Sequence, residues 1–181
     1  RSVERTARQR ADGAAAIRTN ARFIALGLIT FGTMCNYLDR AVLGVAAPAM
    51  SRELSLDAVQ MGLLFSAFSW TYAAAQIPGG AFLDRIGTRF AYFWSVTLWS
   101  LVTLFQGLTN SFAALLGMRF GLGLAEAPCF PANSRILNAW FPQHERARAT
   151  AVYSVGQYFG LGFLSPLLFW IVATLGWRAL F

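Results

Sequence analysis

The chain has 181 residues, of which 56% are hydrophobic and only 13% charged, against roughly 25% charged in a soluble domain. Its net charge is +7 and all 15 basic residues are arginine. The arginines fall in short runs between long apolar stretches, not on one basic domain, which excludes a nucleic-acid binder and makes lipid the expected solvent.

Residues 1–20 are polar, rich in arginine and alanine, and lack the apolar core of a signal peptide. They read as a cytoplasmic tail held near anionic headgroups by Arg1, Arg5, Arg8, Arg10, Arg18 and Arg22. Residues 21–181 read as one helical membrane domain. A spanning helix needs about 20 mostly apolar residues, and five stretches qualify: 23–47, 58–82, 90–108, 112–131 and 149–172. After Leu175-Gly176-Trp177-Arg178 the chain turns apolar again, as the start of a sixth span would. The predicted fold class is therefore an all-α integral membrane bundle.

Short connections fit a compact bundle: Thr109-Asn110-Ser111 is a tight turn and Pro142-Gln143-His144-Glu145-Arg146 a charged loop. Alternating crossings place the tail arginines with Arg85, Arg89, Arg135, Arg146 and Arg148 on one side, and Arg52 and Arg178 on the other. Arginine excess marks the cytoplasmic face, so the N-terminus is expected inside. Gly117 with Gly121, and Gly156 with Gly160, have the spacing that lets helix backbones approach. Pro78, Pro128, Pro131 and Pro166 lie within or near span ends. Cys35 and Cys129 read as packing residues and His144 as a solvated loop residue. With no metal-ligating or nucleophilic constellation, neither an enzyme nor a cofactor is expected.

Four charged residues lie inside apolar stretches: Asp39 and Arg40 in the first span, Arg119 and Glu126 in the fourth. Each costs roughly 2.5–3.5 kcal/mol at a helix centre on insertion scales and should face a partner or water. Arg119 and Glu126 are seven residues apart, on one helix face and about 10 Å apart along the axis. Antiparallel first and fourth spans would bring Asp39 to the depth of Arg119 and let Arg40 meet Glu126. The plain reading is two static ion pairs; two acid–arginine combinations in one bundle favour a proton relay. Asn36, Tyr37 and Arg40 share a face of the first span, Tyr72 and Gln76 one of the second, Tyr153 and Gln157 one of the fifth. A cavity lined by tyrosine, glutamine and arginine suits a hydroxylated carboxylate, which the guanidinium fork accepts bidentately.

Gly80-Ala81-Phe82-Leu83-Asp84-Arg85-Ile86-Gly87-Thr88-Arg89 resembles the G-x-x-x-D-[RK]-x-G-x-[RK] signature between the second and third helices of the major facilitator superfamily. Arg119-Phe120-Gly121-Leu122-Gly123 is similar to that family's second signature. Asn36-Tyr37-Leu38-Asp39-Arg40 and Gly123-Leu124-Ala125-Glu126-Ala127-Pro128 look like its anion:cation symporter branch. Bacterial members of that branch import sugar acids such as galactonate, glucarate and hexuronates with protons. The resemblance covers residues 22–181. It implies a gating role for Asp84, Arg85 and Arg89 in the motif that Gly80 and Gly87 complete, and proton coupling at Asp39 and Glu126, with which Arg119 is grouped by its depth in the fourth span. It also implies sugar-acid binding by Tyr37, Arg40, Tyr72 and Gln157.

Family members have twelve helices in two halves, so the chain is expected to be the N-terminal half, truncated, with a C-terminal half of the same transporter as its missing partner. The expected ligands are a small organic anion and a proton, in a bacterial inner membrane, with no nucleic-acid partner. Rival readings are a carrier of an aromatic acid or dicarboxylate, a membrane sensor binding the same ligand without flux, and a purely structural bundle.

Overall fold

The computed structural model describes residues 19–181, so the tail expected over residues 1–20 lies almost wholly outside the described residues. Those residues are helical, joined by short turns. Helix α1 is Thr19–Glu53, α2 is Ala58–Ile86 and α3 is Thr88–Gly107. Then come α4, Phe112–Glu126, α5, Cys129–Trp140, and α6, Gln143–Leu175, followed by a 3₁₀ turn at Trp177–Leu180.

Local chemistry sets the boundaries. Asp57 and Gln60 form a reciprocal capping box that starts α2, satisfying donors that a helix N-terminus otherwise leaves bare. Gly87, at φ +82°, ends α2 and starts α3 in one residue, a backbone conformation that a side chain would strain. Ser111 caps α4 through its side-chain oxygen. Pro128 has no N–H to donate, and its ring crowds the preceding turn; the helix expected over 112–131 breaks there and resumes as α5. Helices α1, α2 and α6 continue through Pro48, Pro78 and Pro166.

Helix α1 lies mainly along α6, and α2 along α4, while α3 covers α4 and α5. Close approach is made possible by missing side chains. A Cβ on Gly123 would sit 2.8 Å from the Phe68 carbonyl oxygen and 2.9 Å from the Tyr72 nitrogen on α2, and one on Gly156 or Gly160 would overlap Thr30 or Met34 on α1. Gly117, by contrast, faces open space. One apolar cluster, with Leu26, Ile29, Leu137, Phe141 and Tyr153, packs the end where α1 starts. Another, with Leu43, Met50, Leu64, Leu115 and Trp177, packs the opposite end.

The outer surface is apolar. Phe31, Ile77, Phe93, Phe163 and Phe169 are each more than 55% exposed, whereas Asp39, Arg119 and Glu126 are buried. Large exposed apolar surface marks contact with lipid or another apolar body, so the bundle has charges inside and hydrocarbon outside. The stretches Ala21–Glu53, Phe112–Trp140 and Gln143–Leu175 are long and apolar enough to cross a membrane. Helices α2 and α3, of 29 and 20 residues, are also long enough to span. Their serine, threonine, glutamine, tyrosine and tryptophan lower their mean hydropathy.

Candidate functional site

The four intramembrane charges meet between α1, α3 and α4. Arg40 donates to Oε2 of Glu126 from Nη2 at 3.0 Å and from Nε at 3.3 Å, so the expected Arg40–Glu126 pairing is present. The pair is asymmetric: the Glu126 side chain is 0% exposed and that of Arg40 25%. Three rings surround the guanidinium, with Tyr72 at 4.6 Å, Phe68 at 4.9 Å and Tyr37 at 5.1 Å from its carbon. Aromatic faces attract a cation without neutralising it, by about 0.5–2 kcal/mol each. Arg40 therefore keeps its charge and one open side, on which a carboxylate can be received.

Asp39 points the other way around α1. Its Oδ2 accepts from Trp99 Nε1 at 2.7 Å and from Thr103 Oγ1 at 3.0 Å, both on α3. The direct Asp39–Arg119 pairing that helix depth suggested does not form: no ion pair within 4 Å joins them among the described residues. Two neutral donors on α3, which helix depth alone does not reveal, lie on the face to which Asp39 turns. Arg119 is 2% exposed and feels the charges of both Asp39 and Glu126. Its Nε and Nη2 make no hydrogen bond within the described residues.

The remaining candidates divide. Tyr37 and Tyr72 share the Arg40 surround, Tyr37 also meeting Phe130 edge-on and Tyr72 stacking on Phe68. Gln157 is buried on α6, between Gly156 and Gly160, which seat against Thr30 and Met34. No hydrogen bond links it to Tyr37, Arg40 or Tyr72 among the described residues. Asn36, named beside Tyr37 and Arg40, is 4% exposed and adjoins Glu126.

At the end where α2 passes into α3, Asp84 forms an ion pair with Arg135 of α5. Arg135 was not among the candidates, because forty-six residues separate it from the signature and only the fold brings them together. Arg85 and Arg89 are exposed and have no ion-pair partner among the described residues. Gly87 supplies the left-handed corner of the turn, while Gly80 has open space around it. At the same end Arg22 pairs with Glu145 at 2.7 Å. At the other end Glu53 accepts from Trp177 Nε1 at 2.6 Å and pairs with Arg178, which also donates to Asn110 at 2.6 Å.

Comparison with known proteins bears on what this arrangement serves. The chain is 45% identical over 170 residues to "Probable galactarate/D-glucarate transporter GudP" of Escherichia coli (strain K12), covering 91% of this chain and 38% of that protein. It is 46% identical over 160 residues to "D-galactonate transporter" of Escherichia coli O6:H1, covering 88% of this chain and 37% of that protein. The chain thus spans less than two-fifths of the length of these curated relatives. Among solved structures, a bacterial homologue of the human lysosomal transporter Spinster, inward-facing and unoccupied, matches with a TM-score of 0.74 at 30% identity. That match covers 90% of this chain and 38% of the other. Residues 29–181 match the family described as Major Facilitator Superfamily, so this multi-pass membrane chain belongs to the Major Facilitator Superfamily.

Proposed function

We propose that the chain supplies one wall of a carrier that imports a sugar acid together with protons across a bacterial inner membrane, with its N-terminus in the cytoplasm. Residues 21–181 are the helical domain of that wall, and a second set of helices closes the site from the opposite side. The superfamily is one of transporters and not of enzymes, and the relatives named above are described as carriers of galactarate, glucarate or galactonate. The observation that carries the reading is the Arg40–Glu126 pair, with its cation open on one side and its anion sealed on the other.

Arg40 holds the substrate carboxylate through its guanidinium fork, while Tyr37 and Tyr72 offer hydroxyls beside it and Gln157 an amide from α6. Asp39 and Glu126 take the protons, with Arg119 between them. A proton on Glu126 cancels the charge that engages Arg40 and frees the guanidinium for substrate. This makes the two ligands bind interdependently, the differential affinity that a coupled carrier requires. Asp84, Arg85 and Arg89, with the turn at Gly87 and the nearby Gly80, gate the cytoplasmic end.

The test is uptake of labelled galactonate, glucarate and a hexuronate into vesicles carrying the full reading frame, with and without an inward proton gradient. Accumulation above the external concentration only when the gradient is present is expected. Uptake of an aromatic acid or dicarboxylate in place of these would move the substrate class, and binding without flux would make the protein a sensor.

A further inference from the structure

Below Glu126, on the side of the α2–α3 turn, buried polar groups form a column that substrate binding does not use. Asn36 on α1 is 4% exposed and Asn133 on α5 2% exposed. No hydrogen bond of good geometry reaches either side-chain atom of Asn36, the Asn133 Oδ1 or the Glu126 Oε1 within the described residues, although Asn36 lies beside Glu126. Asn133 Nδ2 donates to Thr33 Oγ1 at 3.3 Å. A small cavity lies between α1, α3 and α5, lined by Thr33, Asn36, Tyr92, Trp99, Cys129 and Asn133 among others. It offers about 10 Å³ to the centre of a water molecule, at the lower edge of the ~10–15 Å³ that admits one.

Orphaned amides that deeply buried are costly, about 1–3 kcal/mol for each unmade bond. A cavity lined by several polar groups is where a structural water sits and satisfies them. We propose that this cavity is a water site held by Asn36 and Asn133, and that it is the first station of a proton route between Glu126 and the cytoplasmic end. The inference rests on the orientation and the proton role of Glu126 proposed above.

Positions along the helices fit a directed route. Asn133 is seven residues past Glu126, beyond the break at Pro128 and nearer the end that carries Gly87. Asn36 bridges the gap, touching the Glu126 side of the column and lining the cavity. Tyr92 lines the cavity and also a larger, mainly apolar groove of about 470 Å³ that Arg89 and Arg135 help to line. The proton leaves the Glu126 carboxyl for the water, the water gives another of its protons to the Tyr92 hydroxyl oxygen, and the proton that the Tyr92 hydroxyl carried passes to a solvent water. The asparagines carry no proton; they are positioning residues that fix the water. Groups facing Glu126 from the packed elements are Asp39 and Arg40 on α1, Tyr72 on α2, Arg119 on its own helix and Cys129 on α5. None of these bridges it to the α2–α3 end, whereas Asn36 does.

Infrared spectroscopy on the solubilised full-length protein, with no substrate added, tests the route. The carboxyl band that Glu126→Gln abolishes is followed after a pH jump. Asn133→Leu and Asn36→Leu, which fill the site with hydrocarbon, are expected to slow that band's response at least tenfold. Asn133→Ser leaves room for water and should respond at nearly the wild-type rate. Equal rates in wild type and both leucine variants would overturn the proposal. So would a serine variant as slow as the leucine one, or a Glu126→Gln spectrum that loses no band. Because no sugar acid is present, failure of the substrate reading in the uptake assay leaves this result untouched.

Discussion

Asp39 on α1 and Glu126 on α4 are both buried, yet their surroundings differ. Glu126 has a cation on one oxygen and no well-formed hydrogen bond on the other, so in the proposed carrier its protonation would change what Arg40 can bind. Asp39 is held by two neutral donors on α3, Trp99 and Thr103, so its carboxyl is fixed in place with no cation hydrogen-bonded to it. Asp39→Asn keeps an oxygen to accept from those donors and removes only the negative charge. The expected result is that this variant binds sugar acid with unchanged affinity and exchanges it across the membrane, but no longer accumulates it against a gradient. Binding by calorimetry, with counterflow and gradient-driven uptake in parallel, checks it; retained uphill accumulation would remove Asp39 from the coupling step.

The helices pack through missing side chains, and the neighbours differ in how far they can yield. At Gly123 an added methyl meets the α2 backbone at Phe68 and Tyr72, which cannot move without the whole helix. At Gly156 it meets Thr30, a β-branched side chain tied by its hydroxyl to the Leu26 carbonyl at 2.8 Å. At Gly160 it meets the flexible Met34 side chain, which can turn away. Overpacking of this kind costs about 1–3 kcal/mol. The order of destabilisation expected in detergent melts is Gly123→Ala above Gly156→Ala above Gly160→Ala, the last close to wild type. Sequence spacing found the Gly156 and Gly160 seam but also pointed to Gly117, where an added methyl would meet open space, and passed over Gly123. Spacing shows which glycines share a helix face; which neighbour that face meets is decided by chain folding. The same limit explains the site. Arg40 with Glu126 could be paired from helix depth alone, whereas Trp99, Thr103 and Arg135 could be placed only once the α3 and α5 rotations were known. The all-α bundle itself was legible, because long apolar stretches separated by arginine-bearing turns permit little else in lipid.

At the scale of the molecule, the signature turn joins two helices of this bundle and also presents charge beyond it. The Asp84–Arg135 pair ties the end of α2 to α5, but its side chains are 60% and 46% exposed. A pair so exposed contributes about 0–1 kcal/mol to stability. Arg85 and Arg89 project from the same turn without ion-pair partners among the described residues, toward the cytoplasmic end of the proposed carrier. If the turn served folding alone, loss of Asp84 would cost stability and function in step. If it gates, as proposed, the small energy matters because two facings of a carrier differ by little, and about 1.4 kcal/mol shifts their ratio tenfold. Asp84→Asn is therefore expected to move Tm by no more than about 4 °C, while slowing gradient-driven uptake roughly tenfold at unchanged substrate affinity. Thermal unfolding and initial uptake rates on the same preparation separate the cases. A large fall in Tm that accounts for the lost uptake would reduce Asp84 to a strut between α2 and α5. A stable protein with slowed turnover would place the control of access at this turn.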